Sequence, residues 1–167
     1  NNYICSIKFD FDGAAIVFAD VSTGEIRATS FSNGDIVVKI VNELSRFSPR
    51  EVLLCPNSEK DGNITQFVKN RLLAATTVLA NESLDIKYAT NLVLDQFKVS
   101  SLSAIKLDGK QKIVQALGGL LDYLQETQKT GLSRLNKIDL YQIAQYMNLD
   151  ISARHNLEIT QIMRKGE

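Results

Sequence analysis

Residues 3 to 9 put Tyr3, Cys5, Ile7 and Phe9 on one side and Ile4, Ser6 and Lys8 on the other, the two-residue period of a β-strand. Asp12-Gly13 punctuates its end. From 14 to 20 both faces are apolar, with Ala15, Val17 and Ala19 opposed to Ile16 and Phe18, which predicts a strand central in its sheet. Ser22-Thr23-Gly24 makes a second tight turn, and residues 25 to 31 read as a third strand. Three short strands joined by tight turns predict an antiparallel meander.

The period then changes. Behind an N-cap at Asp35, Ile36, Ile40, Leu44 and Phe47 recur at helical spacing, and the helix ends before Pro49. Glu51 to Cys55 is a buried strand, expected to run parallel to an earlier one across the helical crossover. A second helix starts at Asp61 or Asn63, residues 76 to 79 give a weak fifth strand, and a third helix covers roughly 84 to 97. A serine-rich linker, 98 to 109, leads to a long helix from Lys110 to about Lys129, with Ile113, Leu117, Leu120, Leu121 and Leu124 as its stripe. Gly118-Gly119 inside that helix costs about 1 kcal/mol per glycine in propensity, which points to another backbone packing close by. Residues 135 to 149 read as extended, and Asp150 caps a last helix carrying Ile151, Leu157, Ile159 and Ile162. The alternation of strands and helices predicts an α/β fold, a mixed sheet flanked by helices with a mainly helical extension.

Composition narrows the function. The 167 residues carry 19 basic and 19 acidic side chains, so no basic excess marks a dedicated nucleic-acid binder. Charge is also even along the chain: 11 basic and 12 acidic residues in 1–107, then 8 and 7 in 108–167. No run of 18 apolar residues suggests a membrane span, and no signal peptide is seen. The chain starts at Asn1 rather than Met and is read as a piece of a longer protein. Two cysteines, Cys5 and Cys55, are too few for a disulfide scaffold and are expected as buried, reduced thiols, although their strands are neighbours and a bridge is conceivable. With one histidine, His155, and no paired Cys or His spacing, a classical zinc site is excluded.

Chemistry-bearing patterns are sparse. Asp10, Asp12 and Asp20 end strands, and RNase H-type nucleases hold two metal ions about 4 Å apart with carboxylates on a similar meander-first sheet. Asp10 and Asp12 flank a turn, where Asp is common for local hydrogen bonding, and Asp20 lies toward the other end of the hairpin. His155 has no serine or aspartate context and is expected as a solvated or interface residue; no P-loop follows Gly118-Gly119. Residues alone thus favour a binding or transmitting module over a metal-dependent nuclease using Asp10, Asp20 and a third carboxylate. A stand-alone protein-interaction module is the third reading.

Ala19-Asp20-Val21-Ser22-Thr23-Gly24-Glu25 resembles a stretch in the connector domain of MutS family DNA mismatch repair proteins. Asn42-Glu43-Leu44 and Pro49-Arg50-Glu51-Val52-Leu53-Leu54 resemble the connector's first helix and next strand. Ala116 to Lys129, with Tyr123-Leu124 and Glu126-Thr127-Gln128-Lys129, resembles the helix that leaves it. Tyr146-Met147-Asn148-Leu149-Asp150 and Arg154-His155-Asn156-Leu157-Glu158-Ile159-Thr160 resemble the opening of the core, or lever, domain, where the family commonly has Arg in place of His155. The four matches are collinear and together cover essentially the whole chain.

The resemblance implies an RNase H-like connector over 1–107 without nuclease activity, and a linker helix with the start of the core/lever domain over 108–167. It implies a non-catalytic role: linking mismatch-binding, core and ATPase domains and contributing to contact with MutL. The parent would be a cytoplasmic, homodimeric ATPase using ATP and Mg, with its ATP and mismatch-reading motifs outside this chain, so mismatched DNA is met only through the intact protein. Arg154, Asn156 and Glu158 are candidates for interdomain contact, a solvated helix face being the alternative. Asn91 and Gln96, on the third helix, are candidates for partner contact. No catalytic, cofactor-binding or metal residue is carried over. Apolar stripes after 110, Ile159 and Ile162 among them, are expected to be covered by the connector or by a second copy of the chain.

Overall fold

The structure, a computed structural model, describes residues 2–143 apart from 57, 59 and 60. The expected helix behind Asp150 lies outside them. The meander forms as β1 (Ile4–Asp10), β2 (Gly13–Asp20) and β3 (Glu25–Phe31), all antiparallel, with Asp10 opposite Gly13 and Asp20 opposite Glu25. Helix α1 (Ile36–Phe47) follows; Asp35 Oδ1 accepts from the Val38 N–H at its start. Its end is Ser48 in the left-handed region, one residue before Pro49, which offers no amide to continue the ladder. Strand β4 (Glu51–Leu54) then pairs parallel with β1, as the crossover reading expects. Helix α2 (Gly62–Phe67), capped by Asp61, loosens into a π-turn over Val68–Leu72 and leads to β5 (Ala75–Val78), parallel to β4. Helix α3 (Ile86–Phe97) and helix α4 (Gln111–Thr127) follow, and a two-residue strand, β6 (Asp139–Leu140), closes the sheet in the order β5-β4-β1-β2-β3-β6.

The sheet has a different core on each face. Cys5, Ile7, Ile16, Phe18, Val52 and Leu54 pack under α1 and α2. Ala15, Val17, Ala19, Ala28 and Leu53 pack under α3 and α4. Every β2 residue is buried, as its two apolar faces require. Three alanines on the α4 side leave room for that helix to lie close, and Leu117, Leu120, Leu121 and Leu124 fill it. Each such leucine contributes about 1.5–3 kcal/mol by leaving water.

The glycine pair does what its cost suggests. A Cβ on Gly118 would stand 2.5 Å from the Cβ and 2.7 Å from the Cα of Ala89, so α3 crosses α4 at backbone contact there. Helix α4, which the resemblance puts on its way out of the connector, lies across the sheet in the same hydrophobic cluster as β1 to β4. The expected boundary at 107/108 therefore falls inside one packed body, between Leu107, fully buried, and Ile113. The serine-rich stretch before it is also more than a tether. It holds a 3₁₀ turn, Leu102–Ile105, and contributes Leu107 to the core.

Candidate functional site

Asp10 and Asp12 lie at the β1–β2 hairpin. Asp10 Oδ1 accepts from the Asp12 N–H at 3.1 Å, the turn chemistry expected of it. Lys112, in the first turn of α4, bridges both carboxylates, with Nζ 2.9 Å from Asp12 and 3.7 Å from Asp10. Asp12 is held below the ordinary carboxylate value by the Asp10 side chain and then by Lys112, and Lys112 is raised in return, chiefly by Asp12. Phe11 stands between them, 98% exposed. Beside the hairpin opens a cleft of ≈ 620 Å³ lined by Lys8, Ser30, Ser32 and Lys110 among others.

Asp20 sits at the opposite end of the sheet. The register puts Asp10 opposite Gly13, seven residues before Asp20 on β2. At a rise of ~3.3 Å per residue the two carboxylates are about 23 Å apart, far beyond a shared pair of metal ions. Asp20 is buried, and its Oδ1 accepts from the Ser22 N–H and the Ser22 hydroxyl. Burial pushes its carboxyl up, but those bonds and the amides of Thr23 and Asn2 outweigh it and hold the group below its usual range. The Asp-x-Ser-Thr-Gly motif is thus a self-capped turn. Gly24, at φ +80°, closes it where a Cβ would meet the Arg134 carbonyl oxygen at 2.4 Å. Among the described residues, no three of His, Cys, Asp and Glu converge as a metal would need.

The cysteines face opposite sides of the sheet, Cys5 under α1 and Cys55 under α4, which rules out a bridge between them in this fold. Burial pushes both thiols up, Cys55 to about 12.

Of the candidate contact residues, Asn91 is exposed on α3 beside a shallow depression it shares with Ile86, Lys87 and Thr90. Gln96 has an internal role: its Nε2 donates to the carbonyls of Leu132 and Leu135, both at 2.8 Å, tying the 131–135 loop to α3. Arg154, Asn156 and Glu158, with His155, lie outside the described residues.

Two further places concern how neighbouring chain would connect. The N-terminal side arrives at β1 by the Asp20 end of the sheet, where Asn2, Arg50, Gln128 and Arg134 line a small pocket. The C-terminal side leaves from the far edge, where β6 pairs parallel with β3 and the Tyr141 N–H donates to the Ala28 carbonyl at 3.0 Å. Because β3 runs from the Asp20 end toward the Phe11 end, β6 points the same way. Tyr141 is gripped there. Its hydroxyl donates to Glu43 Oε1 at 2.8 Å, and the guanidinium carbons of Arg27 and Arg46 stand 5.0 and 5.3 Å from its ring centre. The same two arginines flank Phe47, which stacks on Phe18 at 4.0 Å. The sequence offered no hint of this grip or of the Lys112 bridge, since both join residues about 100 positions apart.

An order β5-β4-β1-β2-β3, with a meander followed by two parallel strands and helices on both faces, defines the RNase H-like class. A solved structure of that class, the fowlpox virus Holliday junction resolvase, matches 74% of this chain and 98% of its own at TM-score 0.53 and 15% identity. Within the class the chain belongs to the MutS family: the model of MutS domain II matches residues 2–139. The DNA mismatch repair protein MutS of Halothermothrix orenii is 34% identical over 164 residues, and that of Clostridium tetani 37% over 164, each covering 98% of this chain. The chain spans 18% of the first of these and 17% of the second.

Proposed function

We propose that this chain is the connector of a MutS-type mismatch repair protein, a non-catalytic body that couples the mismatch-binding, core and ATPase domains. The observation that carries the reading is where the chain enters the sheet at β1 and where it leaves it after β6. It arrives at the centre of the sheet by the Asp20 end and leaves from the far edge toward the Phe11 end. With α3 and α4 packed on the same sheet, displacement at one end moves the other without internal rearrangement. The turn roles of Asp10, Asp12 and Asp20 agree with a body that does no chemistry of its own.

In this reading the connector body runs through β6, and the start of the core or lever domain follows it, with Arg154, Asn156 and Glu158 as interdomain contacts. The parent is a cytoplasmic, homodimeric ATPase that uses ATP and Mg and meets mismatched DNA through its other domains. The exposed face of α3 around Asn91 is the part offered to MutL, and Gln96 supports that face from beneath. The test is a surface-binding titration of this chain against the cognate MutL, with mismatched duplex as a parallel analyte. Saturable MutL binding with weak DNA binding is the expected result. Strong DNA binding without MutL binding would refute the docking role.

A further inference from the structure

Strand β6 is short, and its apolar hold is partial: Ile138 and Leu140 pack against the α4-side core but are only partly buried. The strand has two residues, and the Asp139 side chain is 69% exposed. Beyond that packing and the short ladder to β3, its hold comes from the residue after it, through the Tyr141 ring between two guanidinium groups and the Tyr141 hydroxyl on Glu43. That grip is incompletely satisfied. Among the described residues, buried Glu43 Oε2 and Arg27 Nε meet no hydrogen-bond partner; Arg27 Nε makes the longer ion pair to Asp139 at 3.5 Å. A buried polar network that is partly satisfied lowers the cost of its own opening.

We infer that residues 139–141 form a releasable strap, docked and undocked as a unit, with Tyr141 as its latch on Arg27, Arg46 and Glu43. In the docked state the departing chain moves with β3 and α1. In the undocked state the β3 edge is bare, and the departing chain is free of the body. The consequence for the parent, that strap position sets how well motion passes through the exit, rests on the coupling reading above; the strap itself rests on the geometry alone.

Hydrogen exchange on this chain tests the strap, read at the amides of 139–141 and, for comparison, of β1 and β2. Tyr141→Ala is expected to speed exchange in 139–141 by about tenfold or more and leave β1 and β2 unchanged. Tyr141→Phe keeps the ring and loses the hydroxyl, so a smaller acceleration is expected. Glu43→Gln keeps an acceptor for that hydroxyl and is expected to stay closer to the parent sequence than Glu43→Leu. Unchanged exchange in Tyr141→Ala, or equal acceleration throughout the sheet, would overturn the inference. In the full-length protein, Tyr141→Ala is expected to weaken the nucleotide-dependent change in distance between the connector and the domain that follows it. A released strap with that change undiminished would overturn its role in transmission and leave the coupling reading standing. A distance that is already constant without the substitution would instead overturn the coupling reading.

Discussion

A methyl group added at Gly118 should destabilise the fold and one added at Gly119 should be nearly neutral, although the two positions are adjacent. At Gly118 the new Cβ would meet the Cβ of Ala89 at 2.5 Å and its Cα at 2.7 Å. Ordinary contact needs about 3.5–4 Å, so α3 and α4 must separate by roughly 1 Å along a seam filled by Val93, Leu117 and Leu121. Overpacking of this kind costs typically 1–3 kcal/mol, and a clash with backbone belongs at the upper end. The helix gains back about 1 kcal/mol in propensity, leaving Gly118→Ala destabilised by about 2 kcal/mol. At Gly119 the neighbour at 2.8 Å is Leu79 Cδ1, the tip of a side chain that can turn away, and the next is Leu84 Cδ2 at an ordinary 3.6 Å. There the propensity gain offsets a small repacking cost, and Gly119→Ala should lie within about 0.5 kcal/mol of the parent sequence. Urea unfolding followed by circular dichroism reads the difference. With a slope of about 2 kcal/mol per M, the Gly118→Ala midpoint should fall by about 1 M while that of Gly119→Ala barely moves. Equal midpoints for Gly118→Ala and the parent, or a larger loss at Gly119, would refute the close crossing.

Other expectations follow from single groups. The Cys5 and Cys55 thiols, raised by burial, should resist iodoacetamide at pH 8 in the folded chain and react on unfolding; rapid labelling of the native protein would contradict their placement. Because the folded-state value of Asp20 is depressed, its contribution is full above the unfolded carboxylate value of about 3.9 and is lost as pH falls below it. Urea midpoints should thus drop between pH 5 and acid by less in Asp20→Asn than in the parent sequence, the variant being already weaker at pH 7. Gln96→Ala should cost about 1–2 kcal/mol through the two carbonyls it leaves unbonded, whereas Asn91→Ala should be near neutral, so only the Asn91 variant gives a clean reading of partner binding.

Local pattern made much of the fold legible. The meander, the central place of β2, the Asp35 cap, the parallel return of β4 and the tight approach at Gly118 all follow from residues within a few positions of one another. The MutS resemblance was legible too, in four short collinear stretches. What sequence spacing could not carry is long-range. The resemblance reads helix α4 as departing, whereas it covers the sheet, lying against the alanines of β2 and β3. Strand β6 has two residues, too few for any period, and exists because Tyr141 finds Glu43 and two arginines from β3 and α1. Gln96 reads as a surface amide on a helix, yet its donors are committed to a loop that folds back 36 to 39 residues later. Of the candidate contact positions, Asn91 is exposed on α3 as a docking residue would need to be.

The central claim is that a rigid body carries displacement between the chain on either side of it. Distance measurements between paired probes in the full-length protein test it most directly. One pair would lie within the body, at exposed Ser32 and Lys69, and a second would join Lys69 to the domain that the proposed reading places after the connector. Cys5 and Cys55 are buried and leave introduced cysteines at these sites free to be labelled selectively within this domain. On adding ATP or mismatched DNA, the internal distance should stay constant and the external one should shift. A constant external distance in every state, or an internal distance that changes as much, would contradict the account.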